Sequence, residues 1–406
     1  MSLLLKKTFA YKHNKLNFNG LGLSKWSKKK VTPFYFYHLG ILKYQAHALL
    51  DAAKKFGPEN THFCYAVKAN HHPRILKELA KLGFAADVVS SGELARATQN
   101  KMRASSCVFS GVAKTEEEII YAIKKKILSI NVESLAELTM IQALAKKLKI
   151  KTGVTLRYNP DVKVDTHRHI STGHKDHKFG LLEDDIWRGV EMLKNDRYVE
   201  FKGLSIHVGS QLLKINDFTK SFIKVAKLAA KLPVAQSMLD VGGGLGIDYH
   251  KSEAKNILSI ELYMKSLKDI LEKYLFQKRP ELRGLKIVFE PGRFVVARAG
   301  VLVTKVVRIK KSRGHTFVIV DAGMNELLRP ALYDAYHEIL PLEKRRGTKK
   351  VHVVGPICET SDCFAKSRKL STINENDYIL IADTGAYGKS MANNYNLRTP
   401  AVEYFY

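Results

Sequence analysis

The chain is short of cysteine, with only Cys64, Cys107, Cys358 and Cys363 among its 406 residues. No two of them form a CxxC pair, so neither a zinc ribbon nor a thioredoxin-type redox motif is written into it. With no export signal and no such pair, a reducing cytoplasm is the expected setting. Long apolar runs are missing too. No stretch approaches the roughly 18 residues of a membrane helix, and the leucine run in MSLLLKKTFAYKH is too short for a signal peptide.

Acidic residues are also scarce: 39 against 67 basic ones, a formal charge of +28. Such a surplus raises the question of a nucleic acid or a membrane surface. The lysines are scattered, however: Lys28 to Lys30, Lys124 to Lys126, Lys146 with Lys147, Lys349 with Lys350. Most fall where a helix would show its solvated face, and no RNA-binding or helix-turn-helix signature accompanies them. The expectation is a lysine-rich surface with neither nucleic acid nor membrane as partner. Internal repeats and low-complexity tracts are absent. What is there, 45% apolar and 26% charged residues, suits a soluble globular chain long enough for two domains or a barrel with an appendage.

From about residue 40 to 290 short apolar runs alternate with longer amphipathic ones. HFCYAV, AADVV, CVFS, ILSIN, TGVTLRY, LSIHV, MLDV and KIVFE read as buried parallel strands. Between them lie helix patterns such as PRILKELAKLG, closed by Gly83, and SLAELTMIQALAKKLK. Thr115 before EEEIIYAIKKK has the look of an N-cap, with acids in the first turn and lysines in the last. Eight strands separated by helices is the count of a closed (β/α)8 barrel, an α/β fold. It is expected over 36–290. Beyond Arg293 the runs VLVTKVVRIKKS, HTFVIVDAG, VHVVGPI and DYILIADTG, with Gly and Pro turns, predict a second, mainly antiparallel β domain. It is expected to comprise 291–406 together with 1–35.

In such barrels chemistry sits at the C-terminal strand ends, which here carry Lys68, Asp87, Ser91, Arg157, His207, the run Gly242 to Gly246, and Glu290. A lysine leaving a strand is usually only solvated. A partly desolvated one can form a Schiff base. His207 admits three readings: a core imidazole, a base, or a ring stacked on a planar ligand. GGGLG after LDV lets backbone N–H groups approach a phosphate, although Ile247 stands where a dinucleotide fingerprint needs its third glycine. An amine, a flat ring, a phosphate cradle and an acid together suit pyridoxal 5'-phosphate.

Two histidine- and cysteine-bearing stretches need separate readings. THRHISTGHKDHKFG holds His167, His169, His174 and His177, but no i, i+4 pair and no carboxylate or cysteine cluster. A basic loop over the barrel mouth is expected there, and no metal. GPICETSDCFAK places Cys358 against Glu359 behind a Gly-Pro turn. A disulfide, a metal knuckle, a core thiol and a catalytic acid remain open for it, the disulfide disfavoured by the reducing setting.

The stretches YAVKAN, SSGEL, HKFG, HVGSQ, DVGGGLG, EPGR, DAGMNELLRPALYDAYH, GPICETSD and DTGAYG run in one order from about residue 30 to the C-terminus. In this the chain resembles the fold-type III pyridoxal phosphate decarboxylases, and within them the meso-diaminopimelate decarboxylases. The resemblance implies an alanine-racemase-like barrel with a β domain, and a homodimer whose active sites lie between subunits. It implies conversion of meso-2,6-diaminopimelate to L-lysine and CO2, the last step of lysine biosynthesis. It makes Lys68 the Schiff-base lysine and His207 the stacking ring. Ser210, Gly243, Gly244, Glu290, Gly292, Arg293 and Tyr387 complete the cofactor set. Arg293, Arg329, Tyr333, Glu359 and Tyr387 become substrate contacts, and Cys358 the proton donor offered by the partner subunit. An ornithine or arginine decarboxylase is the alternative, weighed down by Glu359 where ornithine enzymes typically place Asp, and by Arg329, which suits a second carboxylate.

Overall fold

The computed structural model describes residues 8–162, 178–250 and 257–406. The chain divides into two compact units: Gln45–Asp248 with Glu253–Phe294, and Met1–Tyr44 with Tyr249–Ser252 and Val295–Tyr406.

In the first unit, eight strands among the described residues close a parallel barrel in chain order. They are Thr61–Ala66, Ala85–Val88, Val108–Phe109, Ser129–Val132, Thr152–Arg157, Val199–Ser205, Met238–Asp240 and Lys286–Phe289. The last pairs with the first, Ile287 opposite Thr61 and Phe289 opposite Phe63. Closure explains the apolar runs. A strand covered on one face by helices and on the other by the barrel interior has little wet face to mark with polar residues. Cys64, Tyr65, Val88, Ile130, Leu156 and Leu239 are fully buried, and truncating such a leucine to alanine costs about 2–5 kcal/mol.

Several of the barrel helices start where a short polar side chain takes an orphan N–H. Ser90 accepts from the Glu93 N–H before Ser91–Gln99, and Ser134 from the Glu137 N–H before Leu135–Leu148. Thr115 and Glu118 form a reciprocal capping box before Glu116–Lys124, so the expected N-cap is found. Each cap contributes about 1 kcal/mol. The expected barrel fold is therefore found, with one strand displaced. LSIHV begins at Leu204, whereas the strand runs Val199–Ser205 and ends before His207. Its first half, VEFKG, hides from an apolar pattern because Glu200 is exposed and Lys202 half-exposed at the barrel floor, and a register shift falls between Phe201 and Gly203.

The second unit is mainly antiparallel, as expected from its β-rich sequence. Its sheet runs Ile339–Pro341, Tyr378–Ile381, Gly300–Ser312, His315–Val320, Thr348–Val354, Cys363–Ser371, with one parallel pairing between His315–Val320 and Thr348–Val354. Phe34–Tyr37 pairs antiparallel with Gly300–Val303, and Val402–Phe405 lies parallel beside it. Three short strands, Phe9–Lys12, Lys15–Phe18 and Leu21–Gly22, make a separate antiparallel sheet. Trp26 packs edge-on to Phe34, Phe36 and Tyr404 within this unit. Among the described residues no helix is long and apolar enough to cross a membrane.

Candidate active site

Lys68 leaves the strand Thr61–Ala66 in a single 3-10 turn, Val67–Ala69. Its Nζ donates to Asp87 Oδ2 at 2.8 Å, and a third of its side chain stays exposed while Asp87 is wholly buried. Burial raises the Asp87 carboxyl most, the Glu290 charge raises it further and Lys68 opposes both, leaving it at about 7. Asp87 is therefore poised between its two protonation states beside an amine.

Two further acids, Asp240 and Glu290, act on each other. Burial first, and the Glu290 charge second, push Asp240 well above the carboxylate range. Glu290 is low, at about 2, although burial alone would raise it. His207 is the largest of the influences holding it down, followed by Lys68 and the Asp240 hydrogen bond. The proton of the Asp240–Glu290 pair thus rests on Asp240, and Glu290 carries the charge. For His207 the influences conflict: a low Glu290 favours a charged ring, whereas burial lowers the ring's own pKa. The Gly243 N–H points at Nδ1 from 3.2 Å and Glu290 Oε2 lies 3.4 Å from the same atom. Burial favours the neutral ring, whose Nδ1 serves one of these partners at a time: protonated it donates to Glu290, unprotonated it accepts from Gly243. The protonated Nδ1 is the tautomer that agrees with a low Glu290, and Lys68 and Asp240 support that charge further.

Lys68, His207 and Glu290 line one cavity of about 410 Å3, together with Ser110, Asn131, Arg157, Ser205 and Lys114 among others. That volume is within the usual range for a small-molecule site. Asn131 Nδ2 donates to Ser110 Oγ and Asp240 Oδ2, each at 3.1 Å, while Thr155 Oγ1 donates to its carbonyl at 2.6 Å. Arg157 is ion-paired with Glu133 and lies 4.9 Å over the Phe179 ring. Lys114, buried, gives Nζ hydrogen bonds to Gly111 O, Asn131 O and Glu137 Oε1 at 2.7–2.8 Å.

Sequence reasoning found Lys68, Asp87, Arg157, His207 and Glu290 in this barrel. It missed Ser110, Asn131, Ser205 and Lys114. The same strand-end rule nominates Ser110 and Ser205, which follow and close the strands Val108–Phe109 and Val199–Ser205, but small polar residues there pass for turn residues. Asn131 lies inside its strand, Ser129–Val132, one residue before the end.

The glycine run adjoins these groups without lining that cavity. A Cβ on Gly242, at φ +70°, would stand 2.2 Å from the Ile206 carbonyl, and one on Gly243 2.2 Å from that of Glu290. No side chain fits, so the loop can only present backbone. Gly244 follows at φ +102°. Arg293 Nη2 donates to Ser210 Oγ at 3.1 Å, and Gly292 precedes the short helix Arg293–Val296.

The remaining expected residues belong to the second unit. Arg329 opens the helix Arg329–Tyr333 and is buried. Its Nη1 meets His337 Nε2 at 2.8 Å and its guanidinium lies 4.7 Å over the Tyr249 ring. The other nitrogen of His337 faces the Ala382 carbonyl at 2.7 Å. It must hold the proton there, so Nε2 accepts from Arg329. Tyr333 is half-buried. Tyr387 is half-buried as well and has a left-handed backbone, φ +57°.

All four cysteines are free; Cys358 is exposed and Cys363 half-buried. The disulfide reading is thereby excluded. Asp362 templates the loop by accepting the Ile357 N–H at 2.6 Å and the Met324 N–H at 2.7 Å, which turns Cys358 and Glu359 outward. His167, His169, His174 and His177, and the basic loop expected from them, lie outside the described residues.

The donor set fits pyridoxal phosphate. A solvent-reached amine beside a half-titrated acid can form and exchange an imine. A charged buried carboxylate can hold a proton on a ring nitrogen, and Ser205 offers a buried Oγ with no hydrogen-bond partner among the described residues.

Comparison with known proteins agrees. The family model described as pyridoxal-dependent decarboxylase, pyridoxal binding domain, matches residues 45–297. The chain is 37% identical over 398 residues to the diaminopimelate decarboxylase of Zymomonas mobilis, covering 97% of this chain and 92% of that one. Against the enzyme of the same name from Campylobacter jejuni it is 40% identical over 379 residues, covering 92% and 90%. The solved structure of the M. jannaschii diaminopimelate decarboxylase in co-complex with L-lysine gives a TM-score of 0.92 at 35% identity, covering 100% of this chain and 94% of that one.

Proposed function

The chain belongs to the diaminopimelate decarboxylases, a branch of the pyridoxal-dependent decarboxylases, and from that premise we propose how its own residues divide the work. The activity is that of a carboxy-lyase yielding lysine. The finer reading is that meso-2,6-diaminopimelate loses the carboxylate of its D centre as CO2 and leaves L-lysine. Pyridoxal phosphate, when bound, supplies an aldehyde that condenses with amines and a ring that accepts the electron pair left by the departing carboxylate.

Lys68 is the residue assigned to carry the cofactor. The observation behind this is the contrast in exposure between two lysines lining the cavity. The Lys114 side chain is 1% exposed and its Nζ is held by Gly111, Asn131 and Glu137. The Lys68 side chain is 34% exposed and faces Asp87, which can take or return a proton at its Nζ. Glu290, kept charged, would hold a proton on the ring nitrogen, and the neutral His207 imidazole would stack on the ring. Gly243, Gly244, Ser210, Gly292, Arg293 and Tyr387 bind the cofactor's polar groups.

On the substrate side, Arg293, Arg329, Tyr333 and Tyr387 hold the carboxylate that is kept, and Glu359 the distal ammonium. The Cys358 thiol gives its proton to the carbon that has lost CO2, the sulfur keeping the electron pair. A thiol titrates close enough to neutrality for that task. An exposed Cys358 and Glu359 on one outward turn suit delivery to another subunit, so the assembly proposed is a homodimer with shared sites.

The test is to mix purified protein, pyridoxal phosphate and meso-diaminopimelate and measure lysine and CO2. Equal CO2 release from ornithine or arginine would move the chain to the alternative substrate class.

A further inference from the structure

Cys358 and Glu359 do not stand alone on their turn. Asn396, 38 residues away, brings its amide against the thiol from both ends. Oδ1 lies 3.5 Å and Nδ2 3.4 Å from Sγ, and Oδ1 is also 3.5 Å from the Cys358 N–H. Next to it, the Tyr395 hydroxyl donates to Glu359 Oε1 at 2.7 Å. Consecutive residues of one loop thus engage consecutive residues of another.

The loop is built for that aim. Asn396 and Leu397 both adopt left-handed backbone, φ +56° and +51°, a conformation that asparagine tolerates and a bulky leucine resists. Its two ends are pinned: the Asn393 N–H donates to the Asn325 carbonyl at 2.9 Å, and Arg398 Nη2 to the Asp321 carbonyl at 3.2 Å. The reversal turns the Asn396 amide toward Cys358 and leaves Leu397 almost wholly exposed. Hydrogen bonding to Glu359 raises the Tyr395 phenol above its ordinary value, so its hydroxyl remains a donor.

We propose that Asn396 and Tyr395 are positioning residues of the decarboxylation, Asn396 acting through the Cys358 thiol and Tyr395 through the Glu359 carboxylate. A primary amide can serve both states of a thiol acid. Its oxygen accepts S–H while the proton is held. Its NH2 donates to the sulfur once the proton has gone to carbon and the electron pair stays on sulfur. Glu359, a neighbouring negative charge, opposes the thiolate, and the amide N–H offsets it. Tyr395 fixes the rotamer in which Glu359 meets the distal ammonium, so it acts on recognition and not on the proton. This inference rests on the reading of Cys358 and Glu359 above.

The experiment compares Asn396→Gly, Asn396→Asp, Tyr395→Phe and Cys358→Ala holoenzymes on meso-diaminopimelate. It also follows alkylation of Cys358 by iodoacetamide, mapped by mass spectrometry. Asn396→Gly keeps the left-handed backbone and deletes the amide. It should lower kcat about tenfold, the worth of one hydrogen bond to a charged group, with KM little moved. Its thiol should alkylate more slowly, and the solvent deuterium effect on kcat should grow as proton delivery becomes limiting. Asn396→Asp, which also tolerates the backbone, should slow both further by setting a carboxylate against the sulfur; it carries the test if the glycine variant folds poorly. Tyr395→Phe should raise KM and leave alkylation unchanged. Wild-type kcat and alkylation in the Asn396 variants, with Cys358→Ala slow, would overturn this inference alone. A wild-type kcat in Cys358→Ala would overturn the thiol's role itself and this inference with it.

Discussion

Lys68 Nζ and Asp87 Oδ2 stand 2.8 Å apart, joining an amine still reached by solvent to a carboxylate wholly removed from it. Lys68 lines the cavity that Glu290 and His207 also line, and Asp87 backs its amine as a proton acceptor. Lys68→Ala should therefore lose the visible-violet absorbance of the bound cofactor, its borohydride-reducible attachment and activity together. Reducible attachment surviving in Lys68→Ala would assign the role to another lysine.

Asp87 also makes a prediction about stability. Its carboxyl rises from an ordinary 3.8 to about 7 in the fold. Between those values the folded chain keeps a proton that the unfolded chain has released, so stability falls as pH rises through that window. Asp87→Asn cannot ionise and should flatten the fall. The check is Tm of the cofactor-free proteins at several pH values from 4 to 8. Equal slopes would mean that Asp87 titrates near its ordinary value.

Arg329 is buried against Tyr249 and His337. If it holds the retained carboxylate, Arg329→Ala should lower kcat/KM by the equivalent of about 2–5 kcal/mol. Arg329→Lys should rescue little, because an ammonium lacks the planar fork. An unchanged kcat/KM in either variant removes Arg329 from the site. Glu359→Asp, which retracts the carboxylate, should weaken use of diaminopimelate, and improved use would count against the assigned ammonium contact.

Cys358→Ala should keep the fold and the cofactor band while slowing turnover by about 10²–10⁴-fold. Cys363→Ala, a change at a half-buried thiol, should do much less. Mixing inactive Lys68→Ala with inactive Cys358→Ala should restore some activity, since one site of a mixed dimer would hold both residues intact. No recovery after demonstrated subunit exchange would place the thiol and its lysine in the same chain.

The sequence by itself determined the barrel, because a closed parallel sheet demands uninterrupted apolar runs and the helices between them demand a 3.6-residue pattern, both local signals. It also determined Lys68, Asp87, Arg157, His207 and Glu290 as candidates, since a strand end is local too. Only the tertiary structure shows what surrounds them. Asn131 reaches Asp240 across 109 residues, and Cys358 meets Asn396 across 38. Neither pairing leaves a mark in any sequence window. The structure likewise separates Lys68 from Lys114, two cavity lysines whose side chains are 34% and 1% exposed, and surrounds Asp240 and Glu290 so that burial raises the first while neighbouring groups hold the second low. Protonation and hydrogen-bond satisfaction depend on what surrounds a group in space, and chain closure brings those surroundings together from several strands at once.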